Sequence, residues 1–585
     1  MRKNKMLPFI LTTVTTVAIF SSCGQDVVNV ENSKTQKESE VISSETTESS
    51  EVVIDKSKLP ILSLYPINAN LTSGLVKGHK ADFFAENGFQ LEVWAYSEEK
   101  MNALLASGNL PDIMYVSTGG STLQTMIEAG MILNLEDYLD QIPHLYSNEY
   151  IEEALNVVRK FNSAETGKLY GLPVDIGLKT SNHSCLRYTD RNAVKLRWDI
   201  YEEIGAPEIN DYWELIDVME EMVKVHPTEA DGTKCYGTFL DNGQDKSYFG
   251  AMTLWFRWQG YTISNLRYML ESNVVTDEHT SILTKDSLYY EGLKWYNEVY
   301  RRGLMDPDSI NTDRGTQAIK IDNGLAMVPS GTLPGWDPIY YEYYIPGTNI
   351  YYSGIKKAGD GVIVINAETE HLEECLAFLD MMCNPDAVTR IKYGPDGDIW
   401  YADGEKAFLT EAAVEWLESG NTSFNGFPMS DGTEWITWNT HAVVSTGNLN
   451  SMKDNVGNAR SICPEYWNEA EDIALNNEMY KKWQETTGYE NWKEWLEEED
   501  AYYGTSAYDD YSHYLSTPDD KMQLILSSLK DIVVTASWNM VYADTDAEFD
   551  ALWDKMIADC QELNAQSVID WRLADIENAK KLLAE

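Results

Sequence analysis

Short apolar strands alternate with helices at the start of the folded part of the chain, and this order constrains the fold more than any other feature. Three strands are predicted at 61–66, 89–94 and 110–116. Helices are predicted between them at 81–87 and 98–107. Repeated strand–helix–strand units build a mostly parallel sheet covered by helices. The predicted fold class is therefore α/β.

The loop after the third strand is a predicted binding loop. Its sequence at 117–121 is Ser-Thr-Gly-Gly-Ser, which offers exposed amides and hydroxyls. Ligands of open α/β sheets bind beyond the carboxyl ends of the strands. We therefore predict that Thr118 contacts a ligand.

Later parts of the chain extend the α/β pattern. Helices are predicted at 198–226 and 287–302, and buried strands at 321–330 and 361–365. Beyond residue 407 the sequence is predominantly helical. The pattern predicts a helix-rich C-terminal part.

The N-terminus is typical of an exported protein. The basic residues Arg2, Lys3 and Lys5 precede a mostly apolar run at 6–20, and small residues lead to Cys23. The run is too short for a transmembrane helix, which needs about 20 apolar residues. Ser22 before Cys23 resembles a bacterial lipobox, which implies a signal peptide at 1–22 and a lipid on Cys23. The alternative is an ordinary cleaved signal.

Residues 24–58 are predicted to be a flexible acidic tether. They are rich in Ser, Thr, Glu, Gln and Lys, and contain no aromatic residue. Such a segment cannot bury enough apolar surface to offset its ordering entropy. As a coil it would span roughly 30 Å. The anchor and the tether together make up 23–58.

Charge and motifs exclude several classes of function. The 585 residues carry a formal net charge of −49, which repels nucleic-acid phosphates and anionic membrane surfaces. Apart from Cys23 the cysteines are sparse and lack a Cys-x-x-Cys pair, and the eight histidines are scattered without metal-ligand spacing. Signatures of zinc proteases, serine hydrolases, phosphate loops and dinucleotide-binding folds are absent. The sequence therefore predicts no cofactor and no metal. The missing motifs do not by themselves exclude a hydrolase that uses a carboxylate pair, and the expectation that the protein is not an enzyme comes mostly from the resemblance that follows.

A series of phrases, in order along the chain, resembles one family. They are Leu-Leu-Ala-Ser-Gly-Asn-Leu-Pro-Asp-Ile at 104–113, Gly-Lys-Leu-Tyr-Gly-Leu-Pro at 167–173, Gly-Leu-Ala-Met at 324–327, the strand at 361–365 with its following helix, and Gly-Pro-Asp-Gly-Asp at 394–398. Residues 549–571 are similar to its terminal helices. With the Cys23 tether, these phrases resemble the large extracellular solute-binding lipoproteins of carbohydrate-importing ABC transporters.

The resemblance implies a two-lobed periplasmic-binding-protein-like fold with discontinuous lobes. Two or three hinge strands would join the lobes. Our candidates are 170–176 and 330–335, and a third would lie further along the chain at a position that the sequence does not define. The lobes would close on a ligand in the cleft. The implied division is a first lobe at 59–172 plus a segment near 321–355, a second lobe at 176–320 and 360–530, and terminal helices at 531–585.

Carbohydrate binding, which the resemblance implies, needs aromatic platforms for the apolar faces of sugar rings and planar polar groups for their hydroxyls. We predict a ligand site that includes the following residues: Thr118, Asp175, Trp255, Trp258, Trp336, Trp435 and Trp438. The alternative for each tryptophan is ordinary core packing.

Calcium is not expected. Some large relatives carry an Asp/Asn-rich calcium loop in the second lobe, and residues 228–233 are the nearest counterpart here. They lack the alternating Asp/Asn ligands and the closing Glu. We therefore predict no structural calcium.

The expected function is capture of an oligosaccharide by a monomer lipid-anchored on the extracellular face of the cell membrane, and its delivery to permease subunits. A neutral glycan is expected because the acid excess disfavours uronates, although the sequence-adjacent Arg187, Arg191 and Arg197 could reverse that preference. A surface glycoside hydrolase with a carboxylate pair is one alternative. A surface adhesin without a transporter is another.

Overall fold

The computed structural model describes the chain from Ile54 to Ala584 with gaps. The residues that it leaves undescribed are 1–53, 67–72, 119–120, 175, 179–191, 244, 331–338, 352–354, 357–360, 404–405, 422–423, 436–466, 468–472, 474–475, 504–505, 513 and 585. The predicted signal, Cys23 and most of the tether therefore lie outside the described residues.

The first sheet contains the predicted N-terminal strands. Its members are β1 (Ile61–Tyr65), β2 (Gly74–Leu75), β3 (Gln90–Val93), β4 (Ile113–Ser117), β5 (Leu172–Pro173) and β14 (Gly361–Ile365). The strand order is β2-β3-β1-β4-β14-β5. Strand β1 pairs in parallel with β3 and β4, whereas β14 is antiparallel to both of its neighbours. The predicted parallel arrangement of the first three strands is confirmed.

Helices cover this sheet and build a first hydrophobic core with it. They are α1 (His79–Glu86), α2 (Glu98–Ser107), α3 (Thr122–Glu128), α4 (Ile151–Phe161), α10 (Leu372–Cys383) and α11 (Pro385–Tyr393). The all-apolar strand β14 is buried along its whole length because helices and strands surround it. Phe84, Phe89 and Phe378 meet in this core with ring centroids 5.6–6.5 Å apart.

Gly171, directly before β5, lies so close to β14 that a side chain cannot fit. A Cβ there would lie 2.8 Å from Val362 Cβ and 2.9 Å from the Ile363 carbonyl oxygen. We expect Gly171→Ala to lower the free energy of unfolding by about 1–3 kcal/mol, because overpacking forces the backbone to move. Urea unfolding measures the loss. Gly315→Ala is the control, because its Cβ would meet only Asp313 Oδ1 at 3.3 Å. An equal loss in both variants would contradict the prediction.

A second region is built on β7 (Val194–Arg197) and β11 (Tyr340–Tyr343), which pair antiparallel. Extended segments at 304–306, 236–240 and 325–328 join through isolated parallel bridges between Thr238 and Met305 and between Tyr236 and Ala326. Of the strand predicted at 321–330, residues 321–322 are instead the end of a helix, and 325–328 form an extended segment without a full ladder. The helices of this second region are α5 (Trp198–Glu203), α6 (Glu214–Val225), α7 (Met252–Arg257), α8 (Leu288–Arg301) and α9 (Arg314–Asp322).

The helix predicted at 198–226 is two helices in the structure. Helix α5 ends before a linker in which Gly205 and Ala206 have positive φ, and Pro207 follows. A left-handed pair followed by proline cannot continue an α-helix. The prediction missed this break because the apolar pattern resumes in α6.

Small strands and C-terminal helices complete the second hydrophobic core. The strands are β8 (Tyr261–Thr262), β9 (Leu270–Asn273), β10 (Glu278–Ser281), β12 (Ile350–Tyr351) and β17 (Tyr502–Tyr503). The helices are α13 (Glu478–Thr487), α14 (Trp492–Glu498), α15 (Ala507–Ser512), α16 (Asp520–Val541), α17 (Asp546–Glu562) and α18 (Ala565–Ala584). The predicted helical C-terminus is thus present, and it packs mainly into the second core.

By length and composition, α16 could cross a membrane, alone among helices in the described ranges. Its contacts are those of a core helix. Asn297 of α8 donates hydrogen bonds to the carbonyls of Met540, Val541 and Ala543 at 2.8–3.1 Å. These bonds satisfy acceptors at the C-terminal end of α16 that have no partner within the helix.

A smaller third core is formed around β15 (Trp400–Asp403), β16 (Lys406–Leu409) and α12 (Glu411–Glu418). Helix α11 contributes Ile391 to the first core and Tyr393 to the third, so it joins the two. The Asp431 carboxylate also accepts a 2.7 Å hydrogen bond from the His79 amide at the start of α1. Helix α11 and this hydrogen bond therefore hold the third core against the first.

The chain passes between the first and second cores along a two-stranded ribbon. Strands β6 (Gly177–Leu178) and β13 (Ile355–Lys356) pair antiparallel. The predicted hinge segment 170–176 leads directly into β6, whereas 330–335 lies outside the described residues after Ser330. Its role as a hinge stays a prediction.

The structure packs two segments differently from the sequence-based division of the lobes. Residues of 321–355, including Met327, Tyr341 and Ile350, lie in the second core rather than the first. Strand β14 and helix α10, which were placed in the second lobe, belong to the first sheet and core. The reason is that the chain returns through β13 only just before β14.

Candidate functional site

One edge of the first sheet gathers the ends of its parallel strands. Strands β1, β3 and β4 end there, and the antiparallel β14 begins there, with Gly361 paired to Ser117. Thr118 follows Ser117 and is half-buried. The crossing ribbon leaves from the same edge, because β6 follows β5 and β13 precedes β14. We call this the first edge.

Aromatic side chains and a lysine lie at the first edge. The rings of Tyr65 and Tyr96 have centroids 5.6 Å apart, and Trp94 is half-buried beside them. Lys100 Nζ lies 4.9 Å from the Trp94 ring centroid. The Trp94 Nε1 donates a 3.0 Å hydrogen bond to Glu92 Oε2. With its polar atom satisfied, the indole can offer ring surface to an apolar partner.

A polar network lies at the carboxyl ends of two parallel extended segments in the second region. The parallel segments 236–240 and 325–328 lead to Asp241 and Ser330. Gln317 of α9 donates to Ser330 Oγ at 3.2 Å and to the Phe239 carbonyl at 3.4 Å. Burial raises the pKa of Asp241, although the Gly243 amide donates to its carboxylate at 2.9 Å. We call this the second edge.

Gly243 lets the second edge pack tightly. A Cβ at this position would lie 3.1 Å from Arg314 Cβ and 3.1 Å from Asp241 Oδ1. The exposed Arg314 opens α9 after its N-cap Asp313, whose side chain accepts from the Thr316 amide. Carboxylate, amide, hydroxyl and guanidinium groups are thus brought together, and these planar or small polar groups suit hydroxyl-rich ligands.

Comparison with known families decides the class of the protein. The family model of the bacterial extracellular solute-binding proteins matches residues 80–398, more than half of the chain. This chain belongs to that family.

One curated relative of this solute-binding protein is the polygalacturonan/rhamnogalacturonan-binding protein YtcQ of Bacillus subtilis (strain 168). The two are 22% identical over 343 residues, which is 54% of this chain and 61% of the relative. The match therefore spans less than two thirds of the relative's own length.

Solved structures of other solute-binding proteins share the fold. The HMO-binding ABC-transporter-associated protein from Bifidobacterium longum infantis superposes with a TM-score of 0.55 at 14% identity, over 90% of this chain and 99% of that one. FusA, an S. pneumoniae ABC-transporter substrate-binding protein in complex with kestose, gives 0.55 at 16% identity, over 90% and 100%. The predicted two-lobed α/β fold is confirmed.

Among the described residues that were predicted to contact the ligand of this solute-binding protein, Thr118 lies at the first edge. Trp255 and Trp258 are instead 1% and 2% exposed in the second core. Trp255 Nε1 donates to the Leu288 carbonyl at 3.0 Å, and Trp258 stacks on Tyr212 at 5.8 Å. The structure thus contradicts their role as ligand platforms and places both indoles in the packing alternative.

Trp435 is likewise buried, in the third core. It stacks on Tyr393 at 5.8 Å, and its Nε1 donates to the Lys392 carbonyl at 2.8 Å. It is 4% exposed, so it is a core residue rather than the predicted platform. The other predicted contacts, Asp175, Trp336 and Trp438, lie outside the described residues.

Sequence reasoning missed residues at both edges. Trp94 and Tyr96 adjoin the end of a correctly predicted strand, so the rule that selected Thr118 would also have selected them. Asp241 and Gln317 had no such signal, because no strand was predicted at 236–240. Their proximity arises when α9 packs beside two segments that are distant in sequence.

Proposed function

We propose that this solute-binding protein captures an oligosaccharide between the first and second edges and passes it to the permease subunits of an ABC importer. The observation that carries the proposal is the pairing of a half-buried tryptophan at one edge with a polar network at the other. A sugar offers apolar C–H faces to an indole and hydroxyls to carboxylate and amide groups. The names of YtcQ and of the FusA complex support a carbohydrate as the ligand class. They differ in the charge of the sugar, because polygalacturonan is a uronate polymer and kestose is neutral.

The charges at the two edges support a neutral glycan as ligand. At the first edge Lys100 and Glu92 both contact Trp94, and at the second Arg314 is outnumbered by Asp241 and Asp313. The remaining surface is strongly acidic, so a polyanion would approach against an unfavourable field. The buried Arg197 does not add a free cation, because it is bonded to Asp199 and Glu229.

The β6–β13 ribbon is the proposed hinge of ligand-driven closure. In this proposal the first lobe holds the first core and the second lobe holds the second. The two crossings that the structure describes, at β6 and β13, pair with each other, so a rotation about this ribbon would move the two edges together. Ligand contacts made only in the closed state would shift the equilibrium toward it.

Membrane attachment through Cys23 belongs to the same proposal. A lipid on Cys23 and the acidic tether would hold a monomeric binding protein near its permease. Replacement of Cys23 by Ala is expected to release the protein from cells into the medium. Retention of the variant on the cell surface would contradict lipid anchoring.

The ligand class is tested by a thermal-shift panel on the purified protein. We expect a neutral oligosaccharide to raise the melting temperature, because a ligand that binds only the native state stabilises it by RT ln(1 + [L]/Kd), about 2.7 kcal/mol at 100 times Kd. Uronate oligosaccharides and short peptides are included as comparison ligands. A shift with peptides alone would overturn the carbohydrate proposal, and a shift with uronates alone would overturn the neutral one.

The hydrolase and adhesin alternatives have distinct outcomes. A binding protein leaves the oligosaccharide intact, so no new reducing ends are expected after prolonged incubation. New reducing ends that persist in highly purified protein would favour the hydrolase. Uptake of the labelled glycan by cells should fall when the gene is deleted, whereas unchanged uptake would favour the adhesin.

A further inference from the structure

A short hairpin between α6 and the extended segment 236–240 brings three metal-ligating side chains together. His226 is the C-cap residue of α6, Glu229 lies in the turn and Cys235 lies at the far base. The Cys235 amide donates to the Pro227 carbonyl at 3.0 Å, and the Glu229 amide donates to the Thr233 carbonyl at 2.8 Å. The backbone therefore holds the three ligands in place.

The side-chain atoms already approach the spacing that a metal needs. His226 Nε2 lies 3.0 Å and Cys235 Sγ 3.7 Å from Glu229 Oε1. All three ligand atoms lie within 4.8 Å of one another. Tetrahedral zinc, with bonds of about 2.0–2.3 Å, requires ligand atoms roughly 3.3–3.6 Å apart. Shifts of less than about 1.5 Å would therefore suffice.

We propose that His226, Glu229 and Cys235 bind a divalent cation of the zinc class. Nitrogen, oxygen and thiolate ligands suit zinc and similar borderline ions, whereas calcium takes oxygen ligands. Three protein ligands leave a fourth position for water. Binding forms the metal–thiolate bond, releases the Cys235 thiol proton to solvent and transfers no electrons.

Arg197 is the competing cation at this site. Its Nη1 donates to Glu229 and to the Gly324 carbonyl, while its Nε and Nη2 donate to Asp199 at 3.2 and 3.3 Å. In the metal-free state it neutralises Glu229. On metal binding it can release Glu229 and keep Asp199 and Gly324, so it is not left as an uncompensated buried charge.

The site has an entry path and lies apart from the proposed sugar site. The side chains of His226 and Glu229 are each 25% exposed, while Cys235 is fully buried behind them. A cation can therefore enter from solvent past the first two ligands. The hairpin lies at the start of the 236–240 segment, and Asp241 of the second edge lies at its end. At 3.4 Å per extended residue, these five residues separate the hairpin from Asp241 by about 17 Å. Metal binding should leave sugar affinity unchanged.

Cobalt titration of the purified, reduced protein tests the proposal. We expect one equivalent of Co²⁺ to produce a sulfur-to-cobalt charge-transfer band and visible d–d bands typical of a four-coordinate site, and Zn²⁺ to remove both. Cys235→Ser should abolish the charge-transfer band. Cys560→Ser is the matched control, because Cys560 is also a fully buried free cysteine and should leave the band intact.

A second variant keeps the test decisive if the Cys235→Ser protein does not fold. His226→Gln changes a partly exposed residue, and we expect it to fold normally and weaken Co²⁺ binding at least tenfold. The absence of a charge-transfer band in the unaltered protein, or its persistence in Cys235→Ser, would overturn the proposal. Normal Co²⁺ affinity in a folded His226→Gln protein would also contradict it.

Discussion

Replacement of Trp94 by Ala is expected to weaken oligosaccharide binding about 10- to 100-fold. An aromatic anchor at the centre of a site typically contributes about 1.4–2.8 kcal/mol, which corresponds to that change in Kd. The variant should bind the sugar more weakly but fold normally, because Trp94 is only half-buried at the first edge. Isothermal titration with the best glycan from the panel measures it.

Controls for the Trp94 prediction come from the chain itself. Trp213 is 42% exposed and belongs to neither edge, so Trp213→Ala should bind normally. Trp94→Phe keeps a smaller ring and should show an intermediate Kd. Unchanged affinity in Trp94→Ala, with a normal melting temperature, would show that the first edge does not contact the sugar.

Replacement of Asp575 by Ala is expected to lower the free energy of unfolding by about 3–5 kcal/mol, because it leaves the charge of Arg572 buried without its carboxylate. The Asp575 Oδ2 accepts a 2.9 Å hydrogen bond from Arg572 Nη1, and both residues are less than 10% exposed. The carboxylate also accepts 3.0 Å hydrogen bonds from the Ser516 amide. Chemical denaturation of the unliganded protein measures the loss.

An exposed acid on the same helix provides the matched control. Asp570 accepts a 2.8 Å hydrogen bond from Gln566 on the surface of α18, so Asp570→Ala should change stability by no more than about 0.5 kcal/mol. Asp575→Asn keeps the shape of the side chain and should lose less than Asp575→Ala. Equal stability of the Asp575→Ala and Asp570→Ala variants would show that the buried ion pair does not stabilise the fold.

The first sheet could be predicted because its signals are local. The strands near 61, 89 and 113 and the helices between them follow from short apolar runs and from glycines placed at helix ends. The carboxyl-edge rule then selected Thr118 correctly as an edge residue. The same rule, applied to every strand end, would have added Trp94 and Tyr96.

The tryptophans were poorly predicted because a large ring serves a core as well as it serves a cleft. Trp255, Trp258 and Trp435 have polar or aromatic neighbours in sequence that suggested a site, yet all three are buried. Burial of an indole is favourable wherever its surroundings are apolar and its N–H finds an acceptor. Trp255 and Trp435 find that acceptor in backbone carbonyls distant in sequence.

The sequence by itself determined the α/β class, the parallel N-terminal strands, the helical C-terminus and the resemblance to solute-binding proteins. All of these depend on residue order within short windows or on phrases that keep their order along the chain. Only the tertiary structure decided which core each returning segment joins. It also decided which aromatic rings stay near the surface, and that Asp241, Gln317 and Ser330 meet. Contacts between segments far apart in sequence fix these features, and local periodicity does not encode them.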